Sequence, residues 1–217
     1  MNYKFISLAL PIAIAMVSSV ATADTIGGPG SSCTTCDGAA YTLTYSGAPI
    51  SLTATTQTFQ IMLDVNDSSY TGGGSFLNAV AVQVAPSSDV IAGSLLSAPG
   101  DFSFSGIEGL NANGCNGSNG GFLCAEAVTN SVPVTGGPYD FVFDVTVKTG
   151  TLLTGLDAAS VKAQYVDSNG KKAGALLSEP ITLQTTATPE PSSYLTLGSG
   201  LLAMGLFLRR RLAKQVR

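Results

Sequence analysis

The 217-residue sequence predicts an all-β fold, an antiparallel β-sandwich of jelly-roll or immunoglobulin-like topology, set between an N-terminal signal peptide and a C-terminal transmembrane helix. Three observations carry this reading. Apolar residues alternate with polar ones at a period of two in run after run. Glycine-rich or polar breaks separate the runs at intervals of roughly 8 to 15 residues, and no convincing amphipathic helix interrupts them.

The runs follow in order. In YTLTY, Tyr41, Leu43 and Tyr45 share one face and Thr42 and Thr44 the other; in FQIMLDV, Phe59, Ile61, Leu63 and Val65 oppose Gln60, Met62 and Asp64. Leu77 to Val84 aligns Val80, Val82 and Val84, Phe102 to Phe104 is a shorter run, and Tyr139 to Val147 aligns Phe141, Phe143, Val145 and Val147. Val161 to Val166 and Ile181 to Leu183 complete the set. The breaks include TGGG at Thr71 to Gly74 and TGGP at Thr135 to Pro138. Asn169-Gly170, between SVKAQYV and KKAGALL, offers the positive φ values of a tight hairpin turn. Residues 149 to 159 have room for one helical turn. The least strand-like stretch, Gly109 to Ala127, is dominated by Asn and Gly and reads as a long surface loop pinned by a bridge. No Trp is present, so the Cys, Trp, Cys core of antibody-type domains is missing.

The ends bracket one domain. In residues 1 to 23, Lys4 gives a positive start, Phe5 to Val17 an apolar run, and Ala21-Thr22-Ala23 a small-x-small cleavage site. The mature domain spans 24 to 186, residues 187 to 191 form a linker, 192 to 208 a charge-free span, and 209 to 217 a basic tail. Seventeen helical residues cover about 26 Å, enough for a thin bilayer core. Arg209, Arg210 and Arg211 then orient the tail to the cytoplasm and the domain outside.

Charge and residue types exclude several functions. The whole chain carries −4, but between Asp24 and Thr188 four lysines face thirteen acids, a net −9, with no arginine. Such a surface repels polyanions, which sets nucleic-acid binding aside. The sequence has no histidine, which removes Ser-His-Asp and Cys-His catalysis and histidine-ligated zinc. No carboxylate pair stands out for glycoside hydrolysis, so no catalytic residue, metal or cofactor is assigned. Lys171 and Lys172, beside the Asn169-Gly170 turn, read as solvated hairpin charges.

All four cysteines, Cys33, Cys36, Cys115 and Cys124, lie in the exported part, which suits an oxidising compartment. Closeness in sequence favours Cys33 with Cys36 and Cys115 with Cys124; pairings that tie the N-terminus to the later loop are the alternative. The Cys33-Thr-Thr-Cys36 motif reads as a structural bridge, since it lacks the strand-to-helix setting of a redox dithiol. The stretch DVNDSSYTGGGS spaces Asp64, Asn66 and Ser68 as a calcium loop does, then fails at Ser69 and Ser75. It also makes Asn66 a candidate glycosylation site, with Asn116-Gly117-Ser118 a second sequon.

Pro189-Glu190-Pro191, a short apolar span and Arg209-Arg210-Arg211 resemble the sorting signal of the PEP-CTERM proteins of Gram-negative bacteria. Thr188 stands where that family often has valine. The resemblance, confined to about the last thirty residues, implies recognition of the triplet by an exosortase, transient anchoring in the cytoplasmic membrane, and release or transfer to the outer envelope or matrix. Two prolines keep the recognised segment extended, the form a protease cleft grips. The expectation is an exported structural or adhesive protein of the envelope, extracellular polysaccharide or biofilm matrix. A carbohydrate- or calcium-binding module using the 109 to 127 loop or acidic loop ends is the alternative, and a secreted hydrolase the third.

Overall fold

The computed structural model describes residues 25–117, 120–129, 131–151, 153, 159–181 and 184–185. The expected signal peptide, Pro-Glu-Pro linker, membrane span and arginines lie outside them, as does most of the 149 to 159 segment. Among the described residues there is no helix, hence none long and apolar enough to cross a membrane.

The strands in chain order are β1 (Thr25–Gly27), β2 (Ala40–Tyr45), β3 (Ser51–Leu52), β4 (Thr56–Asn66), β5 (Phe76–Gln83), β6 (Val90–Ser97), β7 (Phe102–Ile107), β8 (Gly109–Asn111), β9 (Gly114–Gly117), β10 (Leu123–Ala127), β11 (Val132–Pro133), β12 (Tyr139–Lys148), β13 (Ser160–Val166), β14 (Lys172–Pro180) and β15 (Gln184–Thr185). One sheet runs β1-β2-β4-β12-β6 and the other β14-β13-β5-β10-β7, with β3, β15 and β11 attached at the sides. The pairings are antiparallel except for the short parallel contact of β15 with β2.

Alternation explains why the sheets face each other. In β4 and β12 every second residue is buried, and the register sets Leu43, Leu63 and Phe141 in one row and Tyr45, Ile61 and Phe143 in the next. The opposite sheet answers with Val161, Val82 and Leu123 in one row and Ala163, Val80 and Ala125 in another. These side chains belong to one continuous core. Phe102 meets Phe141 edge to face with ring centroids 5.0 Å apart. At one end of the core Tyr41 and Tyr165 are buried with their hydroxyls hydrogen-bonded at 2.7 Å, and Tyr70 stacks on Tyr165 at 4.0 Å.

Two readings need correction. The stretch from Gly109 to Ala127 is not a long surface loop: β8 and β9 form a hairpin, and β10 is an inner strand of the second sheet. Leu123, Cys124 and Ala125 are all fully buried, because the hairpin covers the outer face that would otherwise be polar. Without a solvated face there is no alternation to read. The Asn169-Gly170 pair turns the chain, but positive φ is confined to Gly170, at +74°. The turn spans Asp167 to Gly170, closed by the Gly170 N–H donating to the Asp167 carbonyl at 3.0 Å. The Asp167 carboxylate accepts the N–H groups of Asn169 and Lys171. This is a three-residue connection with the glycine in the bulge position.

β6 passed unnoticed in the sequence for a related reason. Its register against β12 slips twice, and the extra residues are Ile91 and Leu96, which stand 49% and 52% exposed. Two bulges in eight residues shift the apolar positions out of phase.

Candidate functional site: a polar groove under the disulfide hairpin

Both bridges join near neighbours, Cys33 with Cys36 and Cys115 with Cys124, and no cysteine is free among the described residues. They do different structural work. Cys36 is buried against the main core beside the β1–β2 pairing, while Cys115 and Cys124 pack with Ala79, Ala81 and Phe122 in a separate small cluster. Ala79 and Ala81 belong to the outer face of β5, so this second cluster clamps the β8–β9 hairpin onto the outside of the sandwich as a third layer.

A groove of about 370 Å³ lies where the tip of that hairpin, Ala112 to Gly114, approaches the β13–β14 turn. Its floor is polar. Asn78 comes from β5, Glu126 from β10 and Gln164 from β13, three neighbouring strands of one sheet. Each is held by a contact outside the groove or at its wall. Glu126 accepts the Cys115 N–H at 3.0 Å through one oxygen, and the Asn78 amide approaches its other oxygen at 3.4 Å. Asn78 accepts from the Ser131 hydroxyl at 2.7 Å. Gln164, only 4% exposed, donates to the Ala112 carbonyl at 3.0 Å, and its Oε1 has no hydrogen-bond partner. Gly114 makes the arrangement possible: it sits at φ +95°, and a Cβ there would lie 2.1 Å from Glu126 Oε1. Lys171 and Lys172 form part of the wall.

The other sequence candidates lie elsewhere. Asn66 ends β4, is exposed, and its Oδ1 accepts the Ser68 N–H at 3.2 Å and the Ser68 hydroxyl at 2.7 Å. Asp64 faces Asp140 across β4 and β12; burial and then the Asp140 charge push its carboxyl up to about 6. Asp67 is 1% exposed at the β4 exit, and burial pushes its carboxyl up to about 7. Neither of its oxygens makes a well-formed hydrogen bond, although the backbone N–H groups of Asp67 and Gly137 offset part of the rise. Among the described residues no three Cys, Asp or Glu side chains gather where a metal ion could be held. Among the described residues the large exposed apolar side chains, Ile50, Leu52, Ile91, Leu96 and Val128, are all aliphatic, so they form no aromatic platform of the kind neutral sugars stack on.

Sequence reasoning missed Asn78, Glu126 and Gln164 as a group. They are 38 to 86 residues apart in pairs and come together only through the β13-β5-β10 strand order. The signal within reach was the glutamine and asparagine at outer-face positions of otherwise apolar strands.

Comparison with known proteins adds one informative match. No curated protein is similar enough to count as a relative. Among solved structures, the chain is similar to BcpA, the major pilin subunit of Bacillus cereus, at 16% identity and a TM-score of 0.29, covering 67% of this chain and 40% of the pilin. A variant of the same pilin gives 15% identity and a TM-score of 0.26, covering 68% and 41%. The chain thus spans about two fifths of the pilin's length, and so faint a likeness carries no argument. The C-terminal segment is different: residues 187–211 match the model of the PEP-CTERM protein-sorting motif, so the chain carries the sorting signal that Pro189-Glu190-Pro191 and its three arginines imply, that of an exported protein handed to an exosortase.

Proposed function

We propose that the protein is a non-catalytic, structural or adhesive component of the outer envelope or extracellular matrix, delivered there by exosortase. The single observation that carries the reading is the sorting motif at residues 187–211. Residues 1 to 23 direct export, 192 to 208 hold the chain temporarily in the cytoplasmic membrane, and Arg209 to Arg211 keep the tail inside. The domain suits exposure outside the cell: two sheets packed on one core, two disulfides, and an acidic surface that stays soluble. Its disulfides persist in a setting where no thiol pool reduces them.

Replacing Pro189, Glu190 and Pro191 by alanine tests delivery. The expected result is a full-length precursor that fractionates with the membrane, detected by its undiminished mass. Processing at the wild-type rate would refute the role of the motif. Cells lacking the protein should shed matrix or attach less firmly, and unchanged cohesion would remove the structural and adhesive role.

A further inference from the structure

We propose that the groove under the disulfide hairpin binds an acidic saccharide, a carboxylated sugar unit of an extracellular polymer, with Lys171 and Lys172 meeting the carboxylate and the floor amides reading the hydroxyls. The inference rests on the reading that the domain faces the outside of the cell, and adds to it a ligand class and a place.

The floor is organised like a binding site. A volume of about 370 Å³ accommodates one or two sugar rings. Asn78, Glu126 and Gln164 each have a fixed rotamer because a second group holds them: Ser131, the Cys115 N–H and the Ala112 carbonyl. The disulfide in turn fixes Cys115 beside Cys124, two residues before Glu126. Polar groups pinned in this way bind without first losing conformational freedom. The Oε1 of Gln164 is buried without a hydrogen-bond partner, an unmet acceptor at the floor that costs about 1–3 kcal/mol. Amide, carboxylate and backbone groups together offer both donors and acceptors, which matches the hydroxyls of a sugar.

The distribution of cations identifies the ligand's charge. The exported domain has four basic side chains against thirteen acids. Lys148 is paired with Asp89 at 3.3 Å, and Lys162 lies 4.2 Å over the Phe122 ring. Lys171 and Lys172 form no ion pair among the described residues, and both stand at the groove. Lys171, first through its backbone N–H and last through its charge, helps to hold the exposed Asp167 carboxyl below its usual range, and Lys172 stands beside it, so an otherwise acidic domain places two of its four cations, neither in an ion pair among the described residues, at one polar depression. No aromatic ring lines the groove, so stacking on a neutral sugar is not what it provides. Affinity has to come from charge and hydrogen bonds. A single unit should bind weakly, and a polymer presenting many units to many copies would hold through avidity.

The test uses the full chain in mild nonionic detergent, with tetragalacturonate, neutral cellotetraose and inorganic phosphate as probes in separate calorimetric titrations at low and high salt. Tetragalacturonate should bind, with affinity falling roughly tenfold between about 20 mM and about 500 mM salt as the lysine charges are screened. The double substitution Lys171→Gln, Lys172→Gln should weaken it at least tenfold, while Lys148→Gln should leave it unchanged. The substituted side chains are exposed, so folding is preserved, and unchanged thermal unfolding verifies this. Equal binding of cellotetraose, equal binding of phosphate, or indifference to the double substitution would each overturn the proposal. Because these titrations bypass export, a correctly sorted protein that fails to bind overturns this inference alone, and a binding-competent protein that is not sorted overturns only the delivery reading.

Discussion

Replacing Asp67 by asparagine should stabilise the domain at pH 8 and leave it nearly unchanged at pH 4. Asp67 is buried at the exit of β4, and no cation among the described residues pairs with it. Its charge is felt by Tyr41, Tyr139 and Tyr165, whose own hydroxyls are held above their usual range. Well below pH 3.8 the carboxyl is protonated in both the folded and unfolded chain. Between about 4 and 7 the unfolded chain ionises while the folded chain keeps its proton, so stability falls as pH rises. Above 7 both are ionised and the full cost is present. A rise from 3.8 to about 7 corresponds to about 4 kcal/mol, at about 1.4 kcal/mol for each tenfold in proton affinity. Local relaxation and water entry reduce this figure, so about 2–4 kcal/mol is the expected gain.

Asparagine fits the site because the Val65 carbonyl borders it; both that oxygen and Asp67 Oδ1 crowd the space above Gly137. The assay is urea denaturation of wild type and Asp67→Asn at intervals from pH 4 to pH 8. Asp64 also titrates with a raised value and runs through the same window, but it is present in both proteins and cancels in their difference. The difference should open from near zero to about 2–4 kcal/mol, or about 5–10 °C in Tm for a domain of this size. Two curves separated by a constant offset would refute the reasoning, since the carboxyl would then have an ordinary affinity for its proton.

Two substitutions probe the rest of the structure. Gly114→Ala should destabilise by about 1–3 kcal/mol, because the residue sits at φ +95° and the new methyl would press on Glu126; a neutral result in urea denaturation would show that the groove floor is not packed as described. Tyr41→Phe should cost about 1–2 kcal/mol by leaving the Tyr165 hydroxyl buried and unpaired, whereas Tyr41→Phe with Tyr165→Phe should cost less than the two single changes together. Additive effects would show that the two hydroxyls do not depend on each other.

The parts of the fold that were legible in the sequence are those where one face meets the core and the other meets water. β4 satisfies that condition from Phe59 onward and β12 from Phe141 onward, and there the alternation of Phe59, Ile61, Leu63 and Val65 or of Phe141, Phe143, Val145 and Val147 predicts the buried face residue by residue. β10 violates it, because the hairpin it follows folds back over its outer side and buries Cys124 together with Leu123 and Ala125. β6 violates it in another way, its two bulges placing Ile91 and Leu96 out of step. Periodicity encodes burial by two layers, so a strand that gains a third layer loses its signature for a physical reason.

The same reasoning explains why the candidate site was hidden. A turn-rich stretch bracketed by Cys115 and Cys124 suggests a loop with one bridge, and that bridge lies between the hairpin and the strand beneath it. Seen as a clamp, the disulfide accounts for several observations at once. It holds a two-stranded ribbon, too small to be stable alone, against the sheet. It buries the outer face of β5 around Ala79 and Ala81, where small side chains leave room for the sulfurs. It also sets the edge of the ribbon against Asn78, Glu126 and Gln164, which makes a groove of an otherwise flat sheet. The glycine and asparagine content of the segment follows from these demands. Gly114 must let Glu126 approach, and the Asn111 side chain accepts the Asn113 N–H to close the turn. The residues that made the stretch look least structured are therefore the ones the hairpin requires to lie down on the sheet.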